Sequence, residues 1–205
     1  MTTVTFTTED LVGLAPVIPV VVIDDIDDAV PLAAALVRGG LPAIEVTLRT
    51  QPALAAIELI AEQVEGAVVG AGTVTTPQQV EDALAAGARF LVSPGSTPSL
   101  LDALQASGVP FLAGTATPSD VMALLERGIT HAKFFPAEIN GGVKALKALH
   151  GPFPQMRFCP TGGIDVAKAP EYLALPNVVC VGGSWMAKPG DWAAVEALSR
   201  SAAAL

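Results

Sequence analysis

Residues 66–118 read GAVVGAGTVTTPQQVEDALAAGARFLVSPGSTPSLLDALQASGVPFLAGTATP, and this stretch decides the fold. Gly66, Gly87 and Gly108 recur at equal steps of 21, and Gly128 follows 20 residues later. Each glycine precedes a short apolar run: Ala67–Val74, Phe90–Pro94, Pro110–Gly114 and Thr130–Phe135. The first three runs lead into Thr76-Pro77, Thr97-Pro98 and Thr117-Pro118. Threonine as N-cap with proline in the first turn is a helix-start signal, and glycine beyond the last turn is a helix-stop signal. The unit is therefore strand, loop, Thr-Pro helix, glycine, repeated with little spare length.

Extending this pattern in both directions predicts eight strands. They lie near Val17–Ile23, Ile44–Leu48, Val68–Thr73, Phe90–Ser93, Phe111–Gly114, His131–Phe135, Arg157–Thr161 and Val178–Gly182. Helical patterns separate them, among them Ala29–Arg38, Leu54–Val64, Gln78–Ala85 and Val143–Leu149, and a terminal helix spans Trp192–Ala203. Alternating strands and helices imply parallel pairing, and eight units imply a closed (β/α)₈ TIM barrel. An open doubly wound sheet is the alternative, but its glycine-rich dinucleotide turn is missing after the first strand. Thr7-Thr8-Glu9-Asp10-Leu11 predicts a short N-terminal helix against the barrel. No linker divides the chain, so residues 1–205 are expected to form one domain.

Composition narrows the function. A net charge of −9 with no basic cluster argues against nucleic acid as a partner. No apolar run suffices for a membrane span, and Met1 to Asp10 lacks the pattern of a signal peptide, so a cytoplasmic protein is expected. Cys159 and Cys180 fall in apolar runs without metal-ligand spacing and read as buried thiols. With two histidines as well, no metal site is expected.

Against that background Lys133 stands out. It is one of five lysines, and it alone lies inside strand sequence, Ile129-Thr130-His131-Ala132-Lys133-Phe134-Phe135-Pro136. A buried unpaired ammonium is costly, so such a lysine tends toward the neutral amine, a nucleophile for carbonyl groups. The alternative is a strand-end lysine reaching solvent. Strand alternation in Ile44-Glu45-Val46-Thr47-Leu48-Arg49 sets Glu45, Thr47 and Arg49 on one face, read as the barrel interior. These charges either pair structurally or serve a ligand. The same alternation puts Lys133 with Phe135, Arg157 with Cys159 and Thr161, and Ala71 with Thr73. Gly162-Gly163 and Gly182-Gly183-Ser184 follow the last two strands, where barrels of this class often hold phosphate on backbone N–H groups. Either pair alone also fits an ordinary turn. A lysine, a carboxylate, an arginine and a phosphate cradle at one end of a barrel suit Schiff-base aldol chemistry, with no cofactor beyond the lysine.

At these residues the chain resembles a known family. Glu45-Val46-Thr47-Leu48-Arg49-Thr50, Gly70-Ala71-Gly72-Thr73-Val74, Ser93-Pro94-Gly95, Lys133-Phe134-Phe135-Pro136-Ala137-Glu138, Gly141-Gly142-Val143-Lys144-Ala145-Leu146, Arg157-Phe158-Cys159-Pro160-Thr161-Gly162-Gly163-Ile164 and Gly182-Gly183-Ser184-Trp185 are similar to the motifs of 2-dehydro-3-deoxy-6-phosphogluconate and 4-hydroxy-2-oxoglutarate aldolases. The resemblance implies a metal-independent class I aldolase, usually a homotrimer, that cleaves the phosphorylated keto-acid to pyruvate and glyceraldehyde 3-phosphate. By motif, it makes Lys133 the Schiff-base lysine and Glu45 the acid/base. Arg49 and Thr73 would hold the pyruvyl carboxylate, and Pro94 and Phe135 would line the pyruvate pocket. Thr161 would face the aldehyde portion, and Gly162, Gly163, Gly183 and Ser184 would cradle phosphate. The chain departs from many members after strand five, with Ala113-Gly114-Thr115 in place of a Pro-Gly pair. Rival readings keep the chemistry on unphosphorylated 4-hydroxy-2-oxoglutarate or on the galactonate-derived epimer, or make the barrel an engineered assembly scaffold.

Overall fold

The structure, a computed structural model, describes residues 6–205. Helix α1 (Thr8–Val12) precedes strand β1 (Val17–Val21), and a 3₁₀ turn (Ile26–Asp28) leads into α2 (Ala29–Arg38). The alternation continues with β2 (Ala43–Thr47), α3 (Ala53–Gln63), β3 (Val68–Gly72), α4 (Pro77–Ala85), β4 (Leu91–Val92), α5 (Pro98–Ala106), β5 (Phe111–Thr115) and α6 (Pro118–Glu126). It ends with β6 (His131–Phe134), α7 (Gly142–His150), β7 (Arg157–Pro160), α8 (Ala169–Leu173), β8 (Val181–Gly183) and α9 (Trp192–Ala203).

The eight strands form one parallel sheet in the order β7-β6-β5-β4-β3-β2-β1-β8. Parallel bridges Phe158 to Val178 and Thr161 to Gly182 join its two ends, so the sheet closes into the expected (β/α)₈ barrel.

Local chemistry explains the repeat. The side chains of Thr76, Thr97 and Thr117 accept hydrogen bonds from the N–H groups of Gln79, Leu100 and Asp120 at 3.2–3.3 Å, with proline at the first helical position each time. Gly66, Gly87, Gly108 and Gly128 all have left-handed backbones, φ +74° to +89°, which a side chain would strain. Thr7 caps α1 in a reciprocal box with Asp10.

The core has two shells. Outward-facing strand residues such as Ile44, Val46, Val69, Ala113, Phe134 and Phe158 pack beneath the helices. A separate interior cluster contains Ile18, Ala43, Val68, Phe90, Leu112, Cys159 and Cys180, toward the strands' N-terminal ends, and Leu11 and Val12 of α1 plug it. The expected alternation holds in β2 but runs out sooner than read in β3. Ala71 belongs to the outer shell, while Gly70 and Gly72 face inward. Thr73 lies beyond the strand with φ +59°, so it does not share a face with Ala71. Strands β4 and β8 are shorter than expected, two and three residues, because a tilted barrel strand pairs only where both neighbours overlap it. No helix among the described residues is long and apolar enough to cross a membrane.

Candidate active site

Glu45 and Lys133 are the third residues of β2 and β6, four strands apart in a ring of eight. Both point inward, and across the barrel Lys133 Nζ donates to Glu45 Oε1 at 2.9 Å. The residues are 3% and 5% exposed. Removing two charges from water is expensive, and an apolar pair of similar volume would often stabilise a core at least as well. Lys133 therefore does not reach out to solvent. Among the described residues Glu45 makes no ion pair other than that with Lys133, and Arg49 makes none.

Small residues make room for this pair. A Cβ on Gly72 would come within 2.3 Å of Glu45 Oε1, and one on Gly70 would strike the Phe90 ring. Phe135, on the same side as Lys133 two residues on, sets its ring centroid 5.3 Å from Nζ, within cation–π range. Thr115 Oγ1 donates to the Lys133 carbonyl at 3.0 Å and so anchors the lysine's backbone. Gly114 N–H donates to the buried Ser93 hydroxyl at 3.2 Å. A Cβ on Gly114 would overlap the Pro94–Gly95 peptide at 2.2 Å, which accounts for glycine in the Ala113-Gly114-Thr115 segment. Among the described residues no group of three or more potential metal ligands occurs.

The mouth of the barrel holds the other sequence-predicted residues. Arg49 lies in the turn after β2 and is exposed, and its Nε donates to Thr47 Oγ1 at 3.2 Å. Thr47 in turn donates to the Val21 carbonyl at 3.0 Å, tying the turn to β1. Thr73 is half-buried in a left-handed conformation that costs a non-glycine residue roughly 1–3 kcal/mol and is typical of ligand-facing turns. Pro94 is half-buried just after β4. Arg157, expected on the face of Cys159 and Thr161, sits at the opposite end of β7 and donates to the carbonyls of Pro154 and Met156.

Phe135, Thr161, Gly162, Gly163, Gly183 and Ser184 do come together, with Val20, Ile164 and Gly182, around a cavity of about 150 Å³. Gly162 and Gly163 have φ +106° and +77°. The N–H groups of Gly163, Ile164 and Ser184 donate to no protein acceptor among the described residues. Free amides grouped at glycine turns and strand ends are the kind of donor that suits an anion. Gly183 has a packing reason as well, since a Cβ there would lie 1.9 Å from the Trp185 ring.

Sequence reasoning missed one cluster beside this cavity. Lys168 Nζ donates to Glu138 Oε2 at 2.7 Å and to the Gly163 carbonyl at 3.0 Å, and the Tyr172 hydroxyl donates to Glu138 Oε1. Hydrogen bonds from Lys168 and then Tyr172 hold the Glu138 carboxyl below its ordinary range, and its bond to Glu138 holds the Lys168 ammonium above its own. Burial, then Glu138, pushes the Tyr172 hydroxyl upward. Lys-Phe-Phe-Pro-Ala-Glu names Glu138, but its partners lie 30 and 34 residues away.

Comparison with known proteins agrees with this geometry. The profile of the KDPG and KHG aldolases matches residues 8–198. A 2-dehydro-3-deoxy-phosphogluconate aldolase of Pseudoalteromonas atlantica is 50% identical over 201 residues, covering 96% of this chain and 94% of its own length. The 2-keto-3-deoxy-6-phosphogluconate aldolase of Zymomonas mobilis, solved with 3-phosphoglycerate, superimposes with a TM-score of 0.94 at 48% identity, over 98% of this chain and 96% of that one. The KDPG aldolase of Legionella pneumophila, in which pyruvate was captured as a covalent carbinolamine, gives 0.93 at 47% identity, over 96% of this chain and 98% of that one. With the barrel, the buried Lys133–Glu45 pair and the glycine-lined cavity already in place, these matches establish that the chain belongs to the KDPG and KHG aldolase family.

Proposed function

We propose that the protein is a class I aldolase that cleaves 2-dehydro-3-deoxy-6-phosphogluconate, reversibly, to pyruvate and glyceraldehyde 3-phosphate. Lys133 adds through Nζ to the C2 ketone, and loss of water from the carbinolamine leaves an iminium. Glu45 relays the protons for that dehydration. It then takes the proton of the C4 hydroxyl as the C3–C4 bond breaks. The aldehyde leaves, and the bond's electron pair enters the iminium to give an enamine. Protonation at C3 and hydrolysis release pyruvate and restore the amine. Arg49 and Thr73 hold the carboxylate, Arg49 through its guanidinium. Pro94 and Phe135 enclose the pyruvyl group, and Thr161 faces the aldehyde portion. Gly162, Gly163, Gly183 and Ser184 cradle the phosphate.

The observation that carries this reading is the ammonium–carboxylate contact of 2.9 Å inside an apolar barrel. It puts a proton relay within hydrogen-bond reach of the amine that needs one. The unpartnered amides around the glycine cavity favour a phosphorylated substrate over 4-hydroxy-2-oxoglutarate, because a phosphate offers several charged acceptor oxygens to amides grouped in this way. We read residues 1–205 as one domain acting in the cytoplasm as a homotrimer with small-molecule partners alone, the state light scattering would detect.

Borohydride reduction in the presence of pyruvate tests the chemistry. One reduced adduct, mapped to Lys133 by peptide mass spectrometry, is the expected result. No adduct, or adducts scattered over Lys144, Lys147, Lys168 and Lys188, would remove the basis for the mechanism.

A further inference from the structure

The two carbonyls of the glycine pair after β7 are tied down separately. Glu138 N–H donates to the Gly162 oxygen at 3.2 Å, and Lys168 Nζ donates to the Gly163 oxygen at 3.0 Å. In a planar trans peptide the C=O and N–H point to opposite sides, so holding these two oxygens aims the N–H groups of Gly163 and Ile164. Those are amides of the cavity without a protein acceptor among the described residues. Glycines with positive φ are the residues that most need such help, since they lose the most conformational freedom on ordering.

Lys168 is itself held at both ends. Its backbone N–H donates to Asp165 Oδ1 at 3.0 Å, and its ammonium is shared between Gly163 O and Glu138 Oε2. The other Glu138 oxygen is held by Tyr172, which is 1% exposed. The Lys168 and Glu138 side chains are 46% and 34% exposed, a setting in which an ion pair adds little to stability. A lysine serving only as a surface partner for Glu138 would have no need of the bond to Gly163.

We propose that Lys168 and Glu138 are positioning residues, a brace that holds the Gly162-Gly163 loop with its amides turned toward the substrate phosphate. This rests on reading the glycine cavity as the phosphate cradle. The ammonium is not itself the phosphate ligand: its bonds go to a carbonyl and a carboxylate, and the carboxylate offsets its charge.

Steady-state kinetics on the full chain test the brace, with the phosphorylated keto-acid and with 4-hydroxy-2-oxoglutarate as substrates. Lys168→Met is expected to raise KM for the phosphorylated substrate about tenfold, the scale of one lost charge-assisted hydrogen bond, with kcat changed less than about twofold. The ratio of kcat/KM between the two substrates falls with it. Lys168→Arg recovers most of the loss, and Glu138→Gln moves KM in the same direction as Lys168→Met. Combining Lys168→Met with Glu138→Gln costs no more than the worse single change, as for two parts of one unit. Equal losses on both substrates would reduce the pair to general scaffolding and overturn the proposal. A lower KM in Glu138→Gln would make the freed lysine a direct phosphate ligand, which also overturns it. If the unaltered protein prefers the phosphorylated substrate and Lys168→Met keeps that preference, the brace alone is wrong. If the unaltered protein shows no preference and inorganic phosphate does not compete, the cradle falls and the brace with it.

Discussion

The two ends of the barrel interior use the same inward-facing strand positions for opposite purposes. Toward the N-terminal ends, Ala43, Val68, Phe90, Cys159 and Cys180 pack with Leu11 and Val12 into a closed apolar plug. Two residues further along β2, and across on β6, Glu45 and Lys133 put a charged pair where the lower layer has methyl groups and thiols. A cavity at the lower end, about 310 Å³ and lined by Thr8, Gln105, Arg127 and His131, is larger than the glycine-lined one. Its arginine, however, is engaged by Asp102 at 2.6 Å and by Gln105. The upper cavity is smaller but carries unengaged amides. The contrast teaches that unspent hydrogen-bonding capacity, more than volume, distinguishes the reactive end.

The sharpest way to break this division is at Lys133. Lys133→Ala should eliminate the borohydride-trapped adduct and lower turnover by at least ~10³-fold, since nothing else supplies the nucleophile. Lys133→Met combined with Glu45→Leu should be equally inactive yet as stable as the parent, or more stable by up to about 1–4 kcal/mol, in urea denaturation. A clear loss of stability in that double variant would make the pair structural. Phe90→Ala is the converse. It should cost about 3–5 kcal/mol of stability while the folded fraction still traps pyruvate on Lys133. Loss of trapping by fully folded Phe90→Ala protein would join the two layers into one functional unit.

Gly72→Ala probes the seam between them. Its methyl group would displace the Glu45 carboxylate, so turnover should fall on the order of 10²-fold while slow adduct formation persists. Near-normal turnover would mean that the carboxylate position is not critical. The smallest expected effect concerns His131 at the lower end of β6. Burial, reinforced by Arg157 and opposed by Glu9, depresses its pKa below the ordinary 6.5. The unfolded chain therefore binds the proton more readily, so this contribution is present above the ordinary pKa and is lost as pH falls toward the folded value. Urea midpoints near pH 5 and pH 8 should differ less in His131→Gln than in the parent, with activity at the upper end unaffected. An unchanged pH slope would show that His131 does not couple to folding.

Much of the barrel was legible because its punctuation is local. Thr76, Thr97 and Thr117 bond amides three residues away, and the glycines at 66, 87, 108 and 128 answer to their own φ angles. Strand ends were less legible. Alternation on paper carries β3 through Thr73, the residue at which the backbone turns left-handed. Alternation likewise puts Arg49 on the face of Glu45, whereas the strand stops at Thr47 and the arginine hangs from the turn. Ser93, Thr115 and Glu138 lie in segments the sequence marks, but their contacts, and the parts of Lys168 and Tyr172, are not legible there, because the partners are 18 to 34 residues distant or are backbone atoms.

The amino-acid sequence by itself determined the alternation of strands and helices, the inward face of Glu45, the shared face of Lys133 and Phe135, and the glycine pairs after the last two strands. Those properties depend on sterics and hydrogen bonds within a few residues. Only the tertiary structure decided that β2 and β6 face each other closely enough for a 2.9 Å contact, and which amides remain without acceptors. Both depend on closure. Strand number and stagger together set the width of the barrel and the neighbour each loop meets, and no local pattern carries that information.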